Sequence, residues 1–87
     1  MIYIDGKWTE GNGRSLSSIC PINNKAIWNG NYASNSQVLR AINSAYDAFP
    51  NWNERGLDSR LKIIKKFYSL LAINKDKIKD LIRLETG

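Results

Sequence analysis

Apolar and polar residues alternate over short distances in the first third of the chain. This period-two pattern is typical of β-strands, and the interruptions are rich in glycine, asparagine and proline. Asp5-Gly6 is a strong hairpin signal. Residues 10–13 predict a second turn, with two glycines, Gly11 and Gly13, that are able to take positive φ angles. The predicted strands cover residues 2–4, 7–9, 15–20 and 25–30.

Helical spacing begins after Ser34. Ser34 and Gln37 form a capping-box pattern, and the apolar positions that follow recur every three or four residues. Pro50 is expected to end this first helix, which leaves residues 51–56 as a linker. A second helix is predicted over residues 57–73. Asn74 is then the expected N-cap of a third helix, with Asp76 in its first turn and Gly87 as its C-cap.

The order of elements indicates an α+β fragment, because strands come first and no strand follows the helices. No parallel β-α-β unit is therefore completed within the chain. The second helix is apolar over more than half of its circumference, so it needs burial on more than one side. The apolar positions are Leu57, Ile63, Leu61, Ile64, Phe67, Tyr68, Leu70 and Leu71. The breadth of this apolar surface indicates that the chain is one part of a larger protein.

Composition narrows the possible chemistry. The 87 residues are 43% hydrophobic and 24% charged, which is close to the average for globular proteins. Histidine is absent and cysteine occurs once, so the sequence predicts neither a histidine-based active site nor a metal site. No apolar run is long enough to cross a bilayer, and the N-terminus lacks the pattern of a signal peptide. A single thiol is compatible with a reducing cytoplasm.

The basic excess of the chain permits two interpretations. Thirteen basic and eight acidic residues give a net charge of +5, and lysines cluster at positions 62, 65, 66, 75, 77 and 79. A stand-alone module that binds RNA or a protein partner would use such a cluster. However, Phe67 and Tyr68 lie on the apolar stripe, so we expect them to be core residues and the lysines to be solvated.

The remaining candidates for chemistry favour structural roles. Cys20 has no histidine to activate it, so we expect an unreactive thiol. Gly11-Asn12-Gly13 lacks the third glycine and the following helix of a dinucleotide loop. Glu85 has no paired carboxylate and is expected at a helix C-terminus. The three tryptophans are expected to pack against the helices or against another part of the protein; these are Trp8, Trp28 and Trp52.

A series of weak motifs, in order along the whole chain, resembles the aldehyde dehydrogenase family. Ile4-Asp5-Gly6-Lys7-Trp8 is similar to that family's "I-(N/D)-G-x-W" opening, and residues 20–27 resemble its "N-P-x-(T/S)-G-E-x-(I/L)" segment. Residues 41–49 and then Trp52 resemble "A-x-x-A-x-x-A-F-x-x-W". Arg60 and residues 67–74 resemble "R-x-x-x-(L/V)-x-x-(F/L)-(A)-x-L-(L/I)-x-x-(N/H)", and Glu85-Thr86-Gly87 resembles the start of "E-T-G-K-P". Cys20, Asn24 and Lys25 depart from the usual asparagine, glycine and glutamate.

One segment resembles a particular branch of the family. Residues 27–33 are similar to the "L-W-x-G-x-x-A" of succinylglutamate-semialdehyde dehydrogenases, which act in arginine degradation, and residues 49–52 fit their "F-P-x-W". In a complete enzyme, the resemblance implies attack of a cysteine on an aldehyde, hydride transfer to NAD and hydrolysis of the thioester. The family's nucleophile, base, oxyanion donor and NAD site all lie beyond Gly87. The resemblance therefore assigns no catalytic, cofactor-binding or metal-binding residue to this chain, and it implies an inactive fragment.

The resemblance also implies an architecture. Residues 1–33 would form a strand-rich arm and residues 34–87 a three-helix segment. Together they would be an incomplete N-terminal part of an α/β, Rossmann-like NAD-binding domain. The expected partners are the rest of the dehydrogenase chain and further subunits, with a homo-oligomer as the complete form.

Overall fold

The computed structural model describes all 87 residues and contains four short strands followed by three helices. The strands are β1 (Ile2–Ile4), β2 (Lys7–Thr9), β3 (Ser15–Ile19) and β4 (Ala26–Asn31). The helices are α1 (Asn35–Glu54), α2 (Leu57–Ile73) and α3 (Lys75–Thr86). The predicted α+β order is therefore confirmed. None of the three helices has both the length and the apolar character that a bilayer crossing needs.

Two antiparallel hairpins form the strand-rich part. In β1–β2, Tyr3 pairs with Trp8, and the connecting residues Asp5 and Gly6 both have positive φ angles, 51° and 75°. This geometry matches the right-handed twist of the strands, which explains the Asp-Gly signal. In β3–β4, Ser18 pairs with Trp28 and the register then shifts by a bulge before Ile19. The two hairpins remain separate two-stranded sheets.

Gly11 and Gly13 lie between the two hairpins, and neither has a positive φ angle. The chain also forms no turn over residues 10–13, so the predicted second turn is wrong. A Cβ atom on Gly11 would collide with the carbonyl oxygens of Asn31 and Tyr32, and one on Gly13 would lie 2.8 Å from that of Tyr32. Glycine is required here because two backbone segments approach closely, rather than because of a left-handed conformation.

Helix α1 begins as predicted. The Ser34 side chain accepts a hydrogen bond from the Gln37 N–H, and the Gln37 side chain accepts one from the Ser34 N–H, which completes the capping box. The predicted end at Pro50 is wrong, since α1 continues through it to Glu54. Pro50 lies on the exposed side, so water can solvate the carbonyl that its missing N–H leaves free.

Helix α2 has the predicted bounds, and Asn74 occupies the predicted N-cap position of α3, where its carbonyl accepts from the Ile78 N–H at 3.0 Å but its side chain makes no capping bond. The Asn74 side chain instead donates a 2.8 Å hydrogen bond to the Leu70 carbonyl at the end of α2. An asparagine between two helices can serve either end, and here it satisfies a free carbonyl of the preceding helix. Asp76 does lie in the first turn of α3, as expected.

The protein is a thin slab without a large core of its own. Only Ile4, Gly11, Cys20 and Gln37 are buried, and the dimensions are 49 × 34 × 16 Å. Its radius of gyration is 17.0 Å, whereas about 12 Å is expected for a compact chain of this length. The smallest dimension accommodates roughly one layer of helices.

Candidate functional site: the uncovered helix surface

The largest uncovered surface is on α2. Its large apolar side chains are 42 to 79% exposed. At 100° per residue all of them except Ile73 form two adjacent stripes that together cover about half of the helix. The first stripe contains Leu57, Leu61, Ile64, Tyr68 and Leu71, and the second contains Ile63, Phe67 and Leu70. Both stripes are open, so neighbouring elements of this chain bury neither of them.

The total surface area shows how much burial is missing. A compact monomer of 9.9 kDa exposes about 5,200 Å². This chain exposes 7684 Å², and its surface includes 25 large hydrophobic side chains. The excess of roughly 2,500 Å² is several times the area of about 800 Å² that each partner contributes to a standard interface. The helices therefore present an apolar face large enough to pack against a further protein layer.

Charged side chains occupy the rest of α2. Lys62, Lys65 and Lys66 lie on the arc that the two stripes leave free. The only ion pair in the chain joins Arg83 and Asp80, both exposed, at 3.2 Å. Phe67 and Tyr68 are exposed, although the sequence predicted core positions for them. They share this exposure with the whole apolar surface and do not form a separate aromatic platform among the lysines.

Cys20 is buried and lies at the end of the β3–β4 hairpin. Its N–H donates to the Lys25 carbonyl and its carbonyl accepts from the Asn24 N–H, each at 2.9 Å. Asn24 has a φ angle of 56°, which places this asparagine in the left-handed conformation that a glycine would otherwise supply. The Cys20 side chain lines an open cleft of about 790 Å³ beside α3, together with Leu81 and Leu84. Lys77, Asp80 and Arg83 line the same cleft. The chain contains no histidine that could activate the thiol.

The other predicted residues have the following positions. Glu85 lies in the last turn of α3, as expected, and accepts a 3.1 Å hydrogen bond from Ser18, which links α3 to the second hairpin. The rings of Trp8 and Tyr3 pack edge to face, with their centroids 5.1 Å apart. Trp28 covers Gly30, and Trp52 lines a small cleft with Ile63 between α1 and α2. These residues are dispersed and do not form one reactive cluster.

The sequence analysis missed one polar arrangement. Gln37 is 5% exposed, and besides its capping role it binds the segment between the hairpins. Its Oε1 accepts from the Asn12 N–H at 2.8 Å and its Nε2 donates to the Glu10 carbonyl at 2.7 Å. We call this set of contacts the Gln37 clasp. The capping-box spacing predicted the local contact with Ser34, but it contains no signal for a partner 25 residues away.

The uncovered face, the hairpins and the motif series can be compared with known proteins. The model of the aldehyde dehydrogenase family matches residues 8–87. The chain belongs to this family. It is 38% identical over 86 residues to the N-succinylglutamate 5-semialdehyde dehydrogenase of Acinetobacter baylyi, and 37% identical over 86 residues to that of Chromobacterium violaceum. Each match covers 99% of this chain and 18% of the relative, so the chain spans about a fifth of the length of these dehydrogenases.

These matches confirm the resemblance inferred from the sequence, both to aldehyde dehydrogenases and to succinylglutamate-semialdehyde dehydrogenases. The alternative of a stand-alone basic interaction module receives no support from them. The uncovered face has a direct explanation within the family, since the relatives contain several times more polypeptide than this chain.

Proposed function

We propose that this chain is the N-terminal part of the coenzyme domain of a longer NAD-dependent aldehyde dehydrogenase. The complete enzyme would oxidise N-succinylglutamate 5-semialdehyde to N-succinylglutamate in arginine catabolism. The uncovered apolar face of α2 is the observation that carries this proposal, because such a face needs a further layer of protein. The names of the two relatives, at 38% and 37% identity, supply the substrate.

In this proposal the role of the chain is structural. Its three helices would pack on the Rossmann-like sheet of the remaining polypeptide, and the strand-rich arm at residues 1–33 would cover part of the surface. The partners would be the rest of the dehydrogenase and further copies in a homo-oligomer. The unpaired thiol of Cys20 supports a place in the reducing cytoplasm.

The residues of this chain do not fit an NAD site. Both sheets are antiparallel hairpins, whereas dinucleotide sites follow a parallel strand with a glycine-rich turn and a helix N-terminus. The Gly13 N–H, which a phosphate loop would leave free, donates to the Tyr32 carbonyl at 2.8 Å. We therefore assign no catalytic, cofactor-binding or metal-binding role to any residue here. NAD would be held by the remaining polypeptide, and the isolated chain would be inactive.

A chimeric enzyme tests the proposal. This chain replaces the matching segment of the Acinetobacter baylyi dehydrogenase, and NADH formation is followed with N-succinylglutamate 5-semialdehyde as substrate. We expect the chimera to oxidise this substrate, because the 38% identity extends over the whole segment. We expect the isolated chain to form no NADH. A folded chimera without this activity, or an active isolated chain, contradicts the proposal.

A further inference from the structure

The Asn12–Gly13 sequence allows an intramolecular reaction that the hydrogen bonds of the folded chain oppose. Asparagine followed by glycine is the sequence in which a backbone nitrogen most easily reaches the preceding side-chain amide, because glycine offers no steric hindrance. The Asn12 side chain is exposed and makes no hydrogen bond, so its carboxamide carbon is accessible. The nucleophile would be the backbone nitrogen of Gly13.

Two hydrogen bonds fix the backbone around this step. The Gly13 N–H donates to the Tyr32 carbonyl at 2.8 Å, and the Asn12 N–H donates to Gln37 Oε1 at 2.8 Å. Gly11 is packed directly against the carbonyl oxygens of Asn31 and Tyr32. The Gly13 nitrogen therefore cannot turn towards the Asn12 side chain without releasing these contacts. The acceptor of the second hydrogen bond, Gln37 Oε1, belongs to a side chain, so a single substitution removes this bond.

The chain contains a second step of the same kind, at Asn29–Gly30, with a different environment. Asn29 lies within β4, and its side-chain oxygen accepts a 2.6 Å hydrogen bond from the Ser17 hydroxyl across the hairpin. The reactive carboxamide is thus held in place at Asn29, whereas at Asn12 only the backbone is held. Gln37 makes no contact with Asn29, which therefore serves as a reference within the same molecule.

We propose that Asn12 is a site of spontaneous, succinimide-mediated modification, and that the Gln37 clasp controls its rate. The Gly13 nitrogen would attack the side-chain carbon of Asn12. The new carbon–nitrogen bond closes a five-membered ring, and the amide nitrogen leaves as ammonia with the proton from the Gly13 nitrogen. Water then opens the ring at either carbonyl, which gives an aspartyl or an isoaspartyl residue with one additional negative charge. No oxidant or other reactant is needed.

The modification would act on the fold itself. An isoaspartyl linkage adds one methylene to the main chain, between two glycines that already contact backbone carbonyls at their closest approach. The added methylene lies between the Asn12 Cα and the Gly13 nitrogen, so it would move the Gly13 N–H away from the Tyr32 carbonyl. The modification would therefore permanently loosen the contact between this segment and the end of β4, next to the Gln37 clasp.

The test compares the rates at the two asparagines. The unmodified chain and the Gln37→Ala variant, each as part of the chimeric enzyme, are incubated in mildly alkaline buffer, with and without urea, and peptide mass spectrometry quantifies conversion at Asn12 and Asn29 separately. Ser36→Ala is the matched control, because the exposed Ser36 side chain hydrogen-bonds only to the Ser34 hydroxyl and makes no hydrogen bond to Gln37. In the unmodified chain we expect conversion of Asn12 at least about tenfold slower than in urea, because modification follows the open population.

The Gln37→Ala variant decides between the outcomes. We expect its Asn12 rate to approach the rate in urea, while Asn29 stays protected and Ser36→Ala behaves like the unmodified chain. Conversion at Asn12 that is unchanged by Gln37→Ala overturns the proposal. An equal acceleration at both asparagines also overturns it, because the variant would then have opened the whole arm. So does an unmodified chain in which Asn12 reacts as fast as it does in urea.

Discussion

Gln37 and Glu10 are joined by a 2.7 Å hydrogen bond from the side-chain Nε2 to the backbone carbonyl. Gln37 is 5% exposed, so its amide exchanges water for this contact. The pair attaches the first turn of α1 to the end of the β1–β2 hairpin. It is the most extensively bonded buried contact between the strand-rich arm and the helices, since the same side chain also binds Asn12 and Ser34.

Replacement of this amide by a carboxylate is expected to destabilise the protein. Gln37→Glu removes the donor to the Glu10 carbonyl and places a negative charge beside that oxygen, so the free energy of unfolding should fall by about 1–3 kcal/mol. The measurement is urea denaturation of the chimeric enzyme, with Ser36→Ala as the control that should change it by less than about 0.5 kcal/mol. Equal stability of Gln37→Glu and the parent would show that the clasp contributes nothing.

Pro50 should weaken α1. It lies inside the helix and supplies no N–H to the carbonyl of Tyr46, four residues earlier. Pro50→Ala restores this donor, and the greater freedom of the unfolded chain offsets only part of the gain. We expect the free energy of unfolding of the chimera to rise by about 1–3 kcal/mol. The Pro50→Ala chimera could instead have a lower free energy of unfolding than its parent in urea. That result would mean that a contact of the proline ring stabilises the protein more than the missing hydrogen bond would.

Cys20 should be dispensable for catalysis. Its thiol is buried, and the chain has no histidine to activate it. We expect Cys20→Ala to leave the rate of NADH formation by the chimera unchanged and to reduce stability by about 1 kcal/mol through lost packing. Steady-state rates with the aldehyde substrate check the first point and urea denaturation the second. A folded Cys20→Ala chimera that has lost its activity would assign the thiol a role in the reaction.

The apolar stripes of α2 should determine whether the chain joins the rest of a dehydrogenase. Ile64 lies in the middle of the first stripe, and Lys66 lies on the free arc two residues away. Ile64→Asp would bury an unpaired charge in the proposed interface, which costs several kcal/mol, so we expect loss of soluble, active chimera. Lys66→Asp on the same helix should leave the chimera both soluble and active. The opposite pattern would mean that the lysine arc, rather than the apolar face, contacts the partner.

The sequence predicted those elements whose causes are local. The Asp5-Gly6 turn, the Ser34–Gln37 capping box and the helix over residues 57–73 each depend on residues a few positions apart, and all three were correct. Family membership was also predictable, because the motifs are linear.

The wrong or missing predictions concern residues whose structure depends on competing contacts or on contacts with residues distant in the sequence. Pro50 is tolerated because it faces solvent and the helix beyond it carries Trp52 to α2. Gly11 is needed because a backbone segment 20 residues later in the chain approaches it closely, and the Asn74 side chain bonds to the end of α2 although Asn74 is the N-cap residue of α3. The Gln37 clasp was missed for the same reason. None of these relationships has a periodic signal in the sequence.

The most direct test of the account concerns the isolated 87-residue chain. Small-angle scattering with sedimentation over a range of concentrations measures its size and mass. If the apolar face of α2 requires a further layer of protein, the chain will either associate or remain expanded, with a radius of gyration well above the roughly 12 Å of a compact monomer. A monomer close to that value that also unfolds in one cooperative transition would show that these residues bury their own apolar surface, and it would contradict the account.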